Sequence, residues 1–268
     1  MNEHNLTGEN YFSHENEIKY MGSSQFKRFM KCEADALAQL NGETEESKST
    51  SLLVGSYVDA HFEGTLDIFK AHHPEIFTKN GDLKSDYQLA EVMIQRAERD
   101  PKFMQYMSGE KQKIFTGEIA GVPYKIKVDS YHEGNCIVDL KCMKDFKPVW
   151  DEDEGMRKHF IMAWGYHYQA AIYTEIVRQN TGKRLPFYIA AISKEREKGP
   201  KLKLYFIPDE IIDSALEEIK SLSPRFQRIK NGELIPQRCG DCKYCRHTEV
   251  LEGPVNFLEE IEEVYEIE

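Results

Sequence analysis

The chain has 268 residues, 40% of them hydrophobic and 30% charged, with a net charge of −11. That length suits one domain with extensions around a sizeable core, and the composition excludes a disordered or fibrous chain. No apolar run is long enough to span a bilayer, and the opening MNEHNLTGENYF lacks a basic region followed by an apolar one, so the expected location is cytoplasmic. The acidity argues mildly against nucleic acid, although six Glu fall in the tail 259–268 and leave room for a local basic groove.

Residues 1–20 read as an N-terminal extension, 21–250 as a single domain and 251–268 as an acidic tail. Residues 21–40 read as a helix after a Ser23-Ser24 cap, with Phe26, Phe29, Met30 and Leu37 as its core stripe and Cys32 following that stripe. Residues 41–50 are polar and loop-like. Residues 51–66 are again helical, with Gly55, Asp59 and Glu63 at i, i+4 and i+8 on one stripe. His61 sits about 200° round from Asp59. After a loop at 71–84 come an amphipathic helix at 85–99 and a short helix from Asp100-Pro101.

Residues 117–142 carry the strongest signal. Two β-rich runs flank Glu133-Gly134-Asn135, a turn. As a three-residue hairpin loop it pairs His132 with Cys136 and sets Asp129 opposite Asp139. Ile137, Asp139 and Lys141 share one face of the second run; Cys136, Val138, Leu140 and Cys142 share the other, where both cysteines read as packing residues. In the first run Lys125, Lys127, Asp129 and Tyr131 are expected on one face. Two carboxylates and Lys141 thus converge, a set suited to Mg²⁺ or Mn²⁺ beside an ammonium. An Asp-x-Lys on a strand is more often a solvated face with a weak ion pair. Asp139, however, lies inside the apolar Ile137-Val138-Asp139-Leu140, and a buried carboxylate needs a partner.

Residues 144–158 read as a mobile connection. Residues 160–178 form the most strongly helical stretch, apolar on most sides and therefore buried, with Gln169 and Tyr173 one turn apart. Strands are expected at 185–194 and 201–207, then a helix at 208–230 interrupted at Pro224. Helices, a hairpin, a helix and two further strands make an α/β (α+β) fold with a mixed sheet.

This order of pieces resembles the PD-(D/E)XK nuclease superfamily, in its RecB-like and RecE-like exonuclease branch, over roughly residues 23–246. The matching residues are Gly55 with Asp59, then Asp129, then Asp139-Leu140-Lys141, then Gln169-Ala170-Ala171-Ile172-Tyr173. Asp59 stands where that branch usually has His. The resemblance implies a restriction-endonuclease-like core: a central mixed sheet flanked by helices. It also implies Mg²⁺ or Mn²⁺ held by Asp59, Asp129, Asp139 and the Leu140 carbonyl. Lys141 would orient or help deprotonate the attacking water, and Gln169 and Tyr173 would position the DNA end or the lysine. The implied activity is a phage-type exodeoxyribonuclease on linear duplex ends, with a RecT-like single-strand annealing protein as partner and a homo-oligomeric ring as one assembly. The competing readings are a non-catalytic DNA-binding member of the fold, against which the intact Asp129, Asp139 and Lys141 argue, and a CRISPR-adaptation nuclease.

Cys239-x-x-Cys242-x-x-Cys245 places three cysteines in seven residues, which favours metal ligation over free thiols. Cys32 is the candidate fourth ligand and His247 the alternative. AddB-like relatives close a [4Fe–4S] cluster with one early and three late cysteines, and the helix around Cys32 resembles that early site. The late spacing here is tighter, so Zn²⁺ stays open beside [4Fe–4S].

Overall fold

The computed structural model describes residues 6–44, 49–151, 154–251, 253–254 and 256–258. Helices come first: α1 (His14–Lys19), α2 (Ser23–Lys31), α3 (Glu33–Leu40), α4 (Thr50–Glu63), α5 (Leu66–His72), α6 (Ser85–Glu98) and α7 (Pro101–Tyr106). The helix expected at 21–40 is two helices. Cys32 between them is extended (φ −163°, ψ 112°), and α2 starts after Gly22 with no side-chain cap. Ser49 caps α4 by accepting from Leu52 N–H, and Gly64, in the left-handed region, ends it.

The first β-rich run also divides. β1 (Lys113–Ile119) and β2 (Val122–Val128) form an antiparallel hairpin. Ala120 and Gly121 both take positive φ in its turn, the pattern of a tight two-residue hairpin. β3 (Ser130–His132) then pairs with β4 (Cys136–Met143) in the expected register, His132 opposite Cys136. The expected connection at 144–158 contains a small hairpin of β5 (Val149–Asp151) and β6 (Met156–Lys158).

The expected helix at 160–178 breaks into α8 (Phe160–Ala163) and α9 (Tyr166–Thr181) at Gly165. Gly165 has φ 63°, and a Cβ there would stand 2.8 Å from the Lys27 side chain. β7 (Phe187–Ser193) and β8 (Leu202–Phe206) follow, then α10 (Asp209–Lys230) and α11 (Lys243–His247). α10 is not interrupted: Pro224 sits inside it, and buried Ile219, Ser223, Phe226 and Ile229 hold both halves against the core.

The central sheet has the order β3-β4-β7-β8. β4 and β7 are parallel and the outer pairings antiparallel, giving a mixed sheet. Alternation along β4 feeds two cores. Ile137 joins α9, α10 and the β1–β2 hairpin on one face; Cys136, Val138 and Leu140 join α4, α6 and α7 on the other. Residues expected as an N-terminal extension pack against this body: Lys230 donates to the carbonyls of Glu17 and Tyr20. Residues 259–268 of the acidic tail lie outside the described residues. Among the described residues no helix is long and apolar enough to cross a membrane.

Candidate active site

Asp129 lies between β2 and β3, where the chain passes from one pairing to the other. Its Oδ2 accepts the Leu140 N–H at 2.8 Å, so a side chain does there what a neighbouring strand would otherwise do. A strand residue turns its N–H and C=O to the same edge. The Leu140 carbonyl therefore opens toward Asp129. The bend also resets the alternation: Tyr131, expected beside Asp129, is buried in the same core as Tyr124, Ile126 and Val128.

Asp139 is 2% exposed. Its Oδ1 accepts from Gln169 Nε2 at 2.6 Å. Its Oδ2 is buried with no hydrogen bond of good geometry, and the Lys141 ammonium 2.5 Å away is its ion-pair partner. Gln169 thus holds the carboxylate, not the lysine. Tyr173, one turn on, donates to the Lys127 carbonyl at 3.1 Å and fixes the end of β2. Burial disfavours charge on Lys141, but Asp139 and Asp129 outweigh it and raise its pKa. Burial, then Asp139, raises the pKa of Asp129.

Asp59 faces the same space from α4. Burial and then Asp129 push its pKa well up. Its stripe-mates Gly55 and Glu63 line the cleft with it, while His61 turns away to Glu98 at 2.9 Å. A Cβ on Gly55 would meet only the Cys142 Cβ, at 3.9 Å, an ordinary contact. Cys142 lines the cleft instead of lying wholly in the core, and burial followed by Asp59 raises its thiol pKa.

The cleft, about 890 Å³, is also lined by Lys125 and Lys127, expected on the face of Asp129, and by Lys27, Arg28, Lys194 and Tyr166, which sequence reasoning missed. Lys27 and Lys141 both lie over the Tyr166 ring, at 5.1 and 5.2 Å. Burial, then Lys141, lowers the Lys27 pKa to about 8. Nothing in the α2 pattern distinguishes Lys27 from a solvated lysine, because only folding brings Tyr166 to it. An acidic chain thus carries a cleft whose cations offset its carboxylates.

Residues 22–248 match the family model described as a PDDEXK-like domain of unknown function (DUF3799). The chain belongs to this family. A crystal structure of a Eubacterium rectale protein that carries the name "Putative exonuclease" is 47% identical to this DUF3799 chain, with a TM-score of 0.89. The match covers 96% of this chain and 98% of that one. The structure of SSO0001 is 13% identical with a TM-score of 0.29, over 87% of this chain and 96% of that one, too distant to carry any argument. No curated protein matches. The mixed sheet flanked by helices is the PD-(D/E)XK core that the order of motifs implied.

A divalent cation is the usual companion of this fold, and the residues of the DUF3799 chain fit one. Asp59, Asp129 and Asp139 all offer carboxylate oxygens, burial and then their mutual repulsion raise the pKa values of Asp59 and Asp129, and Asp139 Oδ2 lacks a hydrogen bond.

A second cluster lies apart from the cleft. The sulfurs of Cys32, Cys239, Cys242 and Cys245 all stand within 4.8 Å of one another. Cys32 reaches them because the chain is extended between α2 and α3. The following residue, Glu33, binds Arg225 at 2.6 and 2.8 Å and accepts the Gln237 N–H at 2.6 Å, which anchors the approach to the late cysteines. His247, the alternative ligand, instead hydrogen-bonds the Lys243 carbonyl and is not in the group. The Cys242 N–H lowers the Cys239 pKa to about 6, and burial raises Cys242 to about 12. The four cysteines could hold a metal ion.

Proposed function

We propose that this chain is a Mg²⁺- or Mn²⁺-dependent exodeoxyribonuclease that degrades linear duplex DNA from its ends. The observation that carries the reading is the buried Asp139, held by Gln169 on one oxygen and beside Lys141 on the other, with Asp129 and Asp59 facing it. Asp59, Asp129, Asp139 and the Leu140 carbonyl would hold the cation. When bound, the cation supplies a Lewis acid that lowers the pKa of water and neutralises charge on the scissile phosphate.

The chain's own groups do the rest. Gln169 fixes the Asp139 carboxylate, and the Asp129–Leu140 hydrogen bond fixes the Leu140 backbone. The Lys141 ammonium orients the attacking water and stabilises charge gathering on the phosphate. Lys27, Lys127 and Lys194 offset the carboxylates and allow a polyanion to enter.

The reading extends to DNA recombination, with an annealing protein as partner and a ring as assembly; both rest on the resemblance. At the cysteines, the spacing favours Zn²⁺ over [4Fe–4S]. Sulfurs about 2.3 Å from one tetrahedral ion stand about 3.8 Å apart; here three of the six pairs are 3.6, 3.8 and 3.9 Å apart and all six lie within 4.8 Å. In a four-iron cluster each thiolate binds a different iron, which spreads the sulfurs further. The site's role is then structural, pinning the C-terminal segment to α3.

Linear duplex DNA labelled at either the 5′ or the 3′ end, with Mg²⁺ and with EDTA, tests the activity. Mononucleotide release from linear but not closed circular DNA, abolished by EDTA, is the expected result. No release with any divalent ion refutes it.

A further inference from the structure

The N-terminal segment forms a wall of the cleft and presents an aromatic ring there. Two lysines hold the segment in place. The buried Lys125 of β2 donates to the Tyr11 carbonyl and to Glu17, the latter at 2.7 Å. Lys230 of α10 donates to the carbonyls of Glu17 and Tyr20 and, at 2.7 Å, to Gln25. These bonds fix the backbone beside Tyr11. The Tyr11 ring is buried and makes a T-shaped pair with Phe12, centroids 4.9 Å apart at 80°.

Phe12 itself is 69% exposed, yet it lines the cleft that contains Asp129 and Asp139. A phenyl ring left in water gains little for folding, and here buried contacts made by its neighbours hold it in water. The Lys127 ammonium lies 5.0 Å from its centroid. Lys127 is two residues before Asp129, about 7 Å along an extended chain, comparable to one nucleotide step along an extended single strand. A rigid exposed ring beside a cation is the arrangement that binds single strands, a base stacking on the ring and a phosphate meeting the ammonium.

We propose that Phe12 is a stacking platform for a nucleobase of the strand being cut, with Lys127 receiving the phosphate next to the one attacked. A base can stack there only once it has left its pair, so the segment selects an opened duplex end. The inference rests on the nuclease reading for its substrate, and the test separates the two.

Linear duplexes carry 2-aminopurine at successive positions from one end, with Ca²⁺ in place of Mg²⁺ to leave them uncut. Wild-type protein quenches the probe at the position that reaches Phe12. Phe12→Ala loses that quenching and, in Mg²⁺, raises KM for duplex ends about tenfold. Phe12→Trp restores both. Because Phe12 is exposed, all three proteins should melt alike. Equal quenching and KM in wild type and Phe12→Ala overturn the platform, as does a change of oligomeric mass in Phe12→Ala with unchanged quenching, which makes Phe12 an interface between copies. Quenching by a wild-type protein that cuts nothing leaves the platform standing and removes the nuclease reading instead.

Discussion

The substitution Gln169→Met removes one donor and little volume. Gln169 Nε2 makes a 2.6 Å bond to a carboxylate that is 2% exposed. A hydrogen bond to a charged group contributes about 1.5–3 kcal/mol. If that energy serves to aim Asp139, its loss appears in the transition state, and the rate of DNA hydrolysis falls about 10- to 100-fold. The freed carboxylate can also swing further onto Lys141, so the Mg²⁺ concentration for half-maximal rate rises. Tyr173→Phe is the contrast: it removes a neutral bond to the Lys127 carbonyl, worth about 1 kcal/mol, and slows the reaction at most about tenfold. Initial rates across a Mg²⁺ series, with melting curves to establish folding, read both variants. A Gln169→Met protein with wild-type rate and wild-type Mg²⁺ dependence would refute the claim that Gln169 orients Asp139.

Asp59→Ala should lose most of the hydrolysis, whereas His61→Ala keeps most of it and costs about 0.5 kcal/mol or less, since its pair with Glu98 is partly exposed; activity lost only in His61→Ala reverses the assignment on α4. Gly55→Ala should raise stability by about 0.5–1 kcal/mol, because the added methyl has room and an interior helical glycine is costly; a destabilised variant in chemical denaturation would contradict this. Protein purified anaerobically should contain near-stoichiometric zinc, and Cys242→Ser should lower metal content and melting temperature together; acid-labile sulfide with four irons would show the sulfur spacing to be misread.

Local rules made the hairpin legible. A three-residue turn fixes register, and register fixes which carboxylates meet, so Asp129, Asp139 and Lys141 followed from residues 129–141 alone. Helical spacing likewise separated Asp59 from His61, and the density of late cysteines called for a fourth ligand, with Cys32 the candidate and His247 the alternative. What stayed hidden depends on contacts distant in sequence. Gly165 breaks a helix where the Lys27 side chain crosses it, and Pro224 does not break one because the core holds both its sides. The Ala120-Gly121 turn carries a weak local signal that a longer apparent strand obscured. Alternation placed Lys125 on the face of Asp129 but did not show that it is buried there, donating to the Tyr11 carbonyl of the N-terminal segment.

Asp139→Asn tests the account most directly. The side chain keeps its size and an oxygen for Gln169, while the negative charge that faces Lys141, and that we propose holds the cation, is gone. End-labelled linear duplex incubated with Mg²⁺ and equal amounts of wild type and variant should give mononucleotides from the wild type and none from a variant that is folded by its melting curve. Degradation by folded Asp139→Asn at the wild-type rate would contradict the assignment of this cleft as the catalytic centre.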